Sequence, residues 1–263
     1  MSSGSVPGVD SQLTPLGLDD VDALHDLIRR WEVHWEIPLV TPRSEVEEEF
    51  GAPGFLPELD TRGVWIRDRL AAAGTVSHTP SGVRLERAHV FGRVDPQARG
   101  NGLGRRLFAW QVERAAECLR VCNPGIPWYV RTHEWEWIED AHRLHRRFGF
   151  EPVRWFEDLV RPLDDLPPLA VPDGIEVVGW KEASADGLRQ ASNASFADHW
   201  GSTPRDAESW RHSVESSGTR LDLSFAALSP WGGCRALPER PFRRRHGSDR
   251  AGGRVDRSPG SSA

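Results

Sequence analysis

The sequence predicts an α/β protein in which a mixed, twisted sheet is flanked by helices, and three observations carry that expectation. Short apolar runs of strand length interleave with amphipathic stretches of helical period through the first part of the chain. A glycine-punctuated loop, VDPQARGNGLGRRL at residues 94–107, lies between a predicted strand and a long predicted helix. After a proline-rich break the same opening order of elements starts again.

Taken in order, Asp19 can cap a helix whose apolar positions Leu24, Leu27, Ile28, Trp31 and Trp35 share one face, with Asp22 favourably placed in its first turn. After Pro42, SEVEEEF offers a short acidic helix. GVWIRD and LAAAGTVSH read as strands joined by a turn near Arg67 to Arg69. RLERAHVFGRV, residues 84–94, is a further strand ended by Asp95 and Pro96. A helix is predicted from Leu103 to Val121, with Leu107, Trp110, Ala115 and Leu119 among its apolar positions. PWYVRTHEW then reads as a strand, WIEDAHRLHRRFGF as a helix stopped at Gly149, and VRWFEDLV as the closing strand.

Composition limits what this framework can do. The 263 residues are 38% hydrophobic and 27% charged, enough for a sizeable core in one large or two smaller domains. No apolar run approaches the roughly 20 residues of a membrane span, so no membrane partner is expected. The opening MSSGSVPGVDS lacks the basic and apolar blocks of a secretion signal. Three cysteines, Cys118, Cys122 and Cys234, are too few and irregular for a disulfide framework. Cys118 and Cys122 read as small buried residues on a helix, and a cytoplasmic protein is expected. The net charge of −6 conceals an asymmetry, because from Ser229 onward eight arginines face Glu239, Asp249 and Asp256. The rest of the chain is correspondingly acidic and is no nucleic-acid surface.

Gly100, Gly102 and Gly104 therefore call for a small anionic ligand rather than a polymer. A strand, a turn with free backbone N–H groups and a helix N-terminus together form a positive concavity suited to phosphate oxygens. The spacing is wrong for a Walker loop, since Arg105 and Arg106 follow and Lys181 is the chain's only lysine. It also differs from the G-x-G-x-x-G of a dinucleotide fold.

The loop resembles that of the GCN5-related N-acetyltransferase superfamily. Its diphosphate pattern, Q/R-x-x-G-x-G/A, is matched by Gln97, Gly100 and Gly102, preceded by Val94 and Pro96 and extended by Gly104. A second landmark, a helix carrying A-x-x-L-Y-x-x-x-G-F, is matched by Ala141, Leu144, Gly149 and Phe150. The resemblance covers residues 12–165, and tandem-domain, mycothiol synthase-like acetyltransferases are the analogy for the chain. It implies acetyl-CoA as cosubstrate and no metal. Backbone around Arg99, Gly100, Asn101, Gly102, Leu103, Gly104 and Arg105 would take the diphosphate, and Arg93 and Val94 would pair with the pantetheine arm. The Val94 N–H would polarise the thioester carbonyl. A primary amine of a small molecule, or a protein N-terminus, would attack the thioester directly in a ternary complex.

The family's tyrosine acid is replaced here by His145, the expected proton donor; the lone tyrosine, Tyr129, is in the preceding strand. For the base, Glu86, His89, Glu134 and Glu136 lie on the two strands that flank the cofactor in the family. Alternation puts Glu134 and Glu136 on one face, with the tryptophans of HEWEW walling the substrate. His133, His142 and His145 do not have zinc-site spacing.

The expected domain plan is a loose start at 1–11, an acetyltransferase domain at 12–165, a linker at 166–173 and the front half of a second such domain at 174–228. A basic tail without periodicity follows at 229–263. A shifted reading frame near residue 229 would account for that tail, and a basic arm for an acidic partner is the alternative. An exposed half-domain edge is compatible with oligomers. The non-catalytic alternative is an acyl-CoA-binding or regulatory module.

Overall fold

A computed structural model describes residues 12–80, 85–122, 125–168 and 170–229. The expectations for residues 1–11, for Cys234 and for the tail from 230 lie outside these residues. The chain enters through a bridge between Thr14 and Gly63, then forms helices α1 (Val21–His34), α2 (Arg43–Phe50) and the short α3 (Pro57–Asp60). Strands β1 (Thr61–Ile66), β2 (Arg69–His78) and β3 (Glu86–Val94) follow as an antiparallel meander, with Arg67 at φ 56° in the first turn. Helix α4 (Leu103–Arg120) then crosses over to β4 (Trp128–Arg131), which pairs parallel with β3. Helix α5 (Glu139–Arg147) ends at Gly149, which takes φ 79° as the sequence predicts for a C-terminal glycine.

The sheet order is β1-β2-β3-β4. Its central β2 is buried on both faces, which explains why LAAAGTV reads as a continuous small apolar run rather than an alternation. Helix α1 covers one face through Leu24, Leu27 and Ile28 against Leu70 and Ala73. Helix α4 covers the other, with Leu103 and Leu107 against Ala72, and Phe108, Ala115 and Leu119 against Ala88 and Val90. Two helices fit closely around one strand because alanine takes so little room.

Beyond residue 174, β5 (Glu176–Gly179) and β6 (Phe225–Leu228) form a separate antiparallel pair, with α6 (Ala185–Ser195) and α7 (Ala207–Glu215) between them. These are the elements that the sequence predicts there.

Three expectations need correction. VRWFEDLV, residues 153–160, is not a strand: it pairs with nothing among the described residues, and Leu159 and Val160 are 90% and 93% exposed. Its alternation is real, yet the segment does not pair with β4 at the sheet edge. The strand expected over residues 127–135 stops at Arg131, because Thr132 to Trp137 bend away to lead into α5. Cys118 and Cys122 are half-buried free thiols rather than core residues, and Cys122 lies just past the end of α4.

Candidate active site

The glycine loop is built to leave donors free. Asp95 ends β3 and anchors the turn: it accepts from Gln97 N at 2.9 Å and from Arg30 Nε at 2.8 Å, with Arg69 Nη2 also 2.8 Å away. Gly100 and Gly102 then take φ of 82° and 77°, a left-handed backbone that side chains with a Cβ adopt only at a cost. The first helical bond runs from Arg106 N to the Gly102 carbonyl at 3.1 Å, so the amides of Leu103, Gly104 and Arg105 have no helical carbonyl to meet. Leu103's side chain is core, which leaves only its backbone for a ligand. Asn101 Nδ2 donates to the Ala98 carbonyl at 3.2 Å and so braces the turn. Arg99 is held by Asp140 at the start of α5 and lies over Trp35 at 4.8 Å.

A fork between strands meets this loop. Pairing of β3 with β4 ends at His89 opposite Arg131, whereas β3 runs on through Val94. The parting of the two strands leaves a cleft of about 290 Å³, lined by Val90, Arg93, Val94, Thr132, Glu134 and residues of the glycine loop. Trp31 from α1, Trp35 just past its end, and Leu144 and His145 from α5 complete its walls. An extended ligand lying there meets strand backbone along its length and a helix N-terminus at one end.

The charged groups in the wall are strongly desolvated. Arg93 Nη1 is 3.4 Å from Glu134 Oε2, and the guanidinium is sandwiched between Trp31 at 3.6 Å and Phe91 at 3.9 Å. Burial lowers the Arg93 pKa to about 10 in spite of Glu134. Burial likewise raises that of Glu134, against the pull of Arg93. His145 packs on Phe108 with ring centroids 4.9 Å apart, and burial, His142 and Arg93 push it down to about 4. It is a neutral imidazole at neutral pH.

Arg93, Val94, Glu134, His145 and residues of the glycine loop therefore line one cleft. Glu86 does not. It is buried at the other end of β3, with His78 Nε2 3.2 Å from its Oε2, and does not line the cleft. Cys122 joins this pair, and the ligand atoms of the three lie within 4.8 Å of one another. Glu136 also fails to share Glu134's face: it is exposed, because the strand has already ended. Trp137 donates to the Trp35 carbonyl at 3.1 Å and stays outside the cleft lining. The Asp140 and Asp95 anchors went unrecognised in the sequence, although Asp95 two residues before Gln97 carries a capping signal.

A GCN5-related N-acetyltransferase from Sphaerobacter thermophilus superposes with a TM-score of 0.64 over 87% of this chain and 70% of that one, at 22% identity. The fold is that of the GCN5-related N-acetyltransferases. Sequence points the same way. The mycothiol acetyltransferase of Tsukamurella paurometabola is 34% identical over 108 residues, 40% of this chain and 33% of that protein. The Rhodococcus erythropolis mycothiol acetyltransferase is 28% identical over 148 residues, 52% of this chain and 44% of that protein. The chain thus spans less than half the length of these curated relatives. No family model matches it. Among the described residues of this acetyltransferase fold, no helix is long and apolar enough to cross a membrane.

Proposed function

We propose that the chain transfers an acetyl group from acetyl-CoA to a primary amine, on a small molecule or a protein N-terminus, by direct attack while both substrates are bound. The observation that carries this reading is the joint of the left-handed glycine loop with the fork between β3 and β4. The free amides of the helix N-terminus suit a diphosphate, and the run of β3 that β4 leaves open suits the amide-bearing pantetheine arm. Relatives named as mycothiol acetyltransferases support acetyl transfer over the stretch they share.

In this reaction the amine nitrogen bonds to the thioester carbon, the C–S bond breaks, and one proton passes from nitrogen to the departing sulfur. Backbone N–H near Val94 stabilises the oxyanion that forms between these events. Because His145 is neutral, it acts as a relay that takes the ammonium proton and hands it to sulfur, rather than as a pre-charged acid. Glu134 is the nearer carboxylate for accepting a proton, its affinity increased by burial.

A second reading, a non-catalytic acyl-CoA-binding module, is favoured by the Arg93–Glu134 pairing, which occupies that carboxylate. Calorimetry with acetyl-CoA, followed by a thiol-release assay over a panel of amines, separates the two. Binding with thiol release supports the transferase; binding with none on any amine selects the module. Absence of binding overturns both.

A further inference from the structure

A second cavity lies where α6 and the segment after it approach the outer ends of β3 and β4. It has a volume of about 350 Å³ and is lined by Arg87, Asn193, Phe196 and Arg205, among others. Arg87 and Tyr129 are register partners across the parallel β3–β4 pair, so their side chains emerge on the same sheet face, and Arg131 follows two residues along. Trp200 stacks on Tyr129, with ring centroids 6.4 Å apart.

Two features of this place require explanation. Arg87 Nη1, Tyr129 OH and Arg131 Nε are buried without a hydrogen-bond partner, and these make up three of the four such side-chain atoms among the described residues. Each stranded donor has lost its water without gaining a partner, an arrangement that a bound acceptor would relieve. In addition, none of Arg87, Arg131 and Arg205 forms a salt bridge among the described residues, in a chain whose net charge is −6. Among the described residues, Arg205 Nη1 reaches only Ser213 Oγ, at 3.3 Å. Their mutual repulsion adds to burial in lowering the Arg87 pKa, and Arg131 and Arg87 contribute to holding His89 near 4. A concentrated positive field with unmet donors is what a small anion neutralises.

We propose that this cavity is an anion-recognition site, built on Arg87 and Arg205 with Arg131 and the Tyr129 hydroxyl beside Arg87 on the sheet face, that holds a carboxylate or phosphate group of the acceptor. Its position fits that role. Arg93 lies six positions beyond Arg87 along β3, roughly 20 Å at the strand rise, and the fork closes between them at His89. An acyl group carried along the free run of β3 from the glycine loop ends near that closure, between the two sites. The acceptor is then an amine that also bears an acid. The identification as an acceptor site rests on the acetyl-transfer reading; the recognition of an anion does not.

The test therefore has independent arms. The whole chain, without CoA, is titrated calorimetrically with succinate and with inorganic phosphate, and CoA is titrated separately. Succinate or phosphate is expected to bind, the better of the two identifying the acid group. Arg87→Gln and Arg205→Gln are each expected to weaken that binding about tenfold or more, as loss of a charge-assisted bond does, and to leave CoA affinity unchanged. Arg205 is exposed, so its variant keeps the test alive if Arg87→Gln does not fold. If neither anion binds, or if binding is indifferent to both substitutions, the cavity holds only water and the proposal is overturned. If anions bind as expected while CoA does not, the anion site stands and the transferase reading falls. Where both stand, thiol release is compared for amine pairs with and without an acid group. Equal rates would overturn the acceptor assignment.

Discussion

Arg93 Nη1 lies 3.4 Å from Glu134 Oε2, and their side chains are 8% and 7% exposed, so the two charges face each other almost without water. Burial moves both pKa values toward the neutral forms despite the attraction, which marks a pair whose desolvation is only partly offset. Removing one partner strands the other. Glu134→Leu and Arg93→Met are each expected to destabilise the fold by about 3–5 kcal/mol, and the double variant by clearly less than their sum. Urea denaturation of all four proteins checks this; additive losses would mean that the two groups are independent.

The glycine loop separates folding from binding. At Gly104 an added Cβ meets only Leu144 and Val94 side chains at 3.6 Å, so Gly104→Ala is expected to fold normally and to gain up to ~1 kcal/mol from helix propensity. If a diphosphate packs on that backbone, the same methyl group lowers CoA affinity about tenfold or more, ~1.4 kcal/mol. Gly102→Ala, at φ 77°, is expected to lose about 1–2 kcal/mol of stability instead. Thermal melting and calorimetry on both variants distinguish the two effects.

The imidazoles set a pH dependence. Burial and neighbouring cations depress His89 and His145 from 6.5 to about 4, so the folded state favours their neutral forms. Their contribution to stability is complete above about pH 6.5 and is lost as the pH falls toward 4, because the unfolded chain takes up protons first. For the better-buried His89 the upper bound is about 3 kcal/mol. His89→Gln is expected to flatten the stability profile between pH 6.5 and 4, measured by urea midpoints across that range. An unchanged slope would place the titration elsewhere.

The segment after α5 should be open to proteases. Residues 151–168 are exposed throughout, and Arg154 and Arg161 lie among them. Brief trypsin treatment of the native protein is expected to cut after Arg154, because Pro162 protects the bond after Arg161, before it cuts at the buried Arg93, read by mass spectrometry.

Much of the frame is written locally. The alternation of β3, the small apolar run of β2 and the period of α4 each report which face is buried, and those faces are the ones found covered. The glycine loop was legible for the same reason, since a left-handed turn before a helix is a local demand. What escaped is relational. VRWFEDLV has the alternation of a strand, but no pattern within it says whether an edge awaits it. Glu86 and Glu134 look alike in sequence, and only their distant partners, His78 for one and Arg93 for the other, set the first at the start of β3 and the second against its far end. The basic cavity was invisible because Arg87 and Arg205 are far apart along the chain.

The open run of β3 from Val90 to Val94 has a consequence for heredity. A molecule gripped by peptide groups is gripped by atoms that every amino acid supplies, so exchange of one side chain for another leaves the grip in place. Proline alone, lacking the N–H, deletes a contact outright. Affinity for such a molecule can thus outlast wide drift in the residues that display it, while preferences that rest on guanidinium groups vanish with one codon.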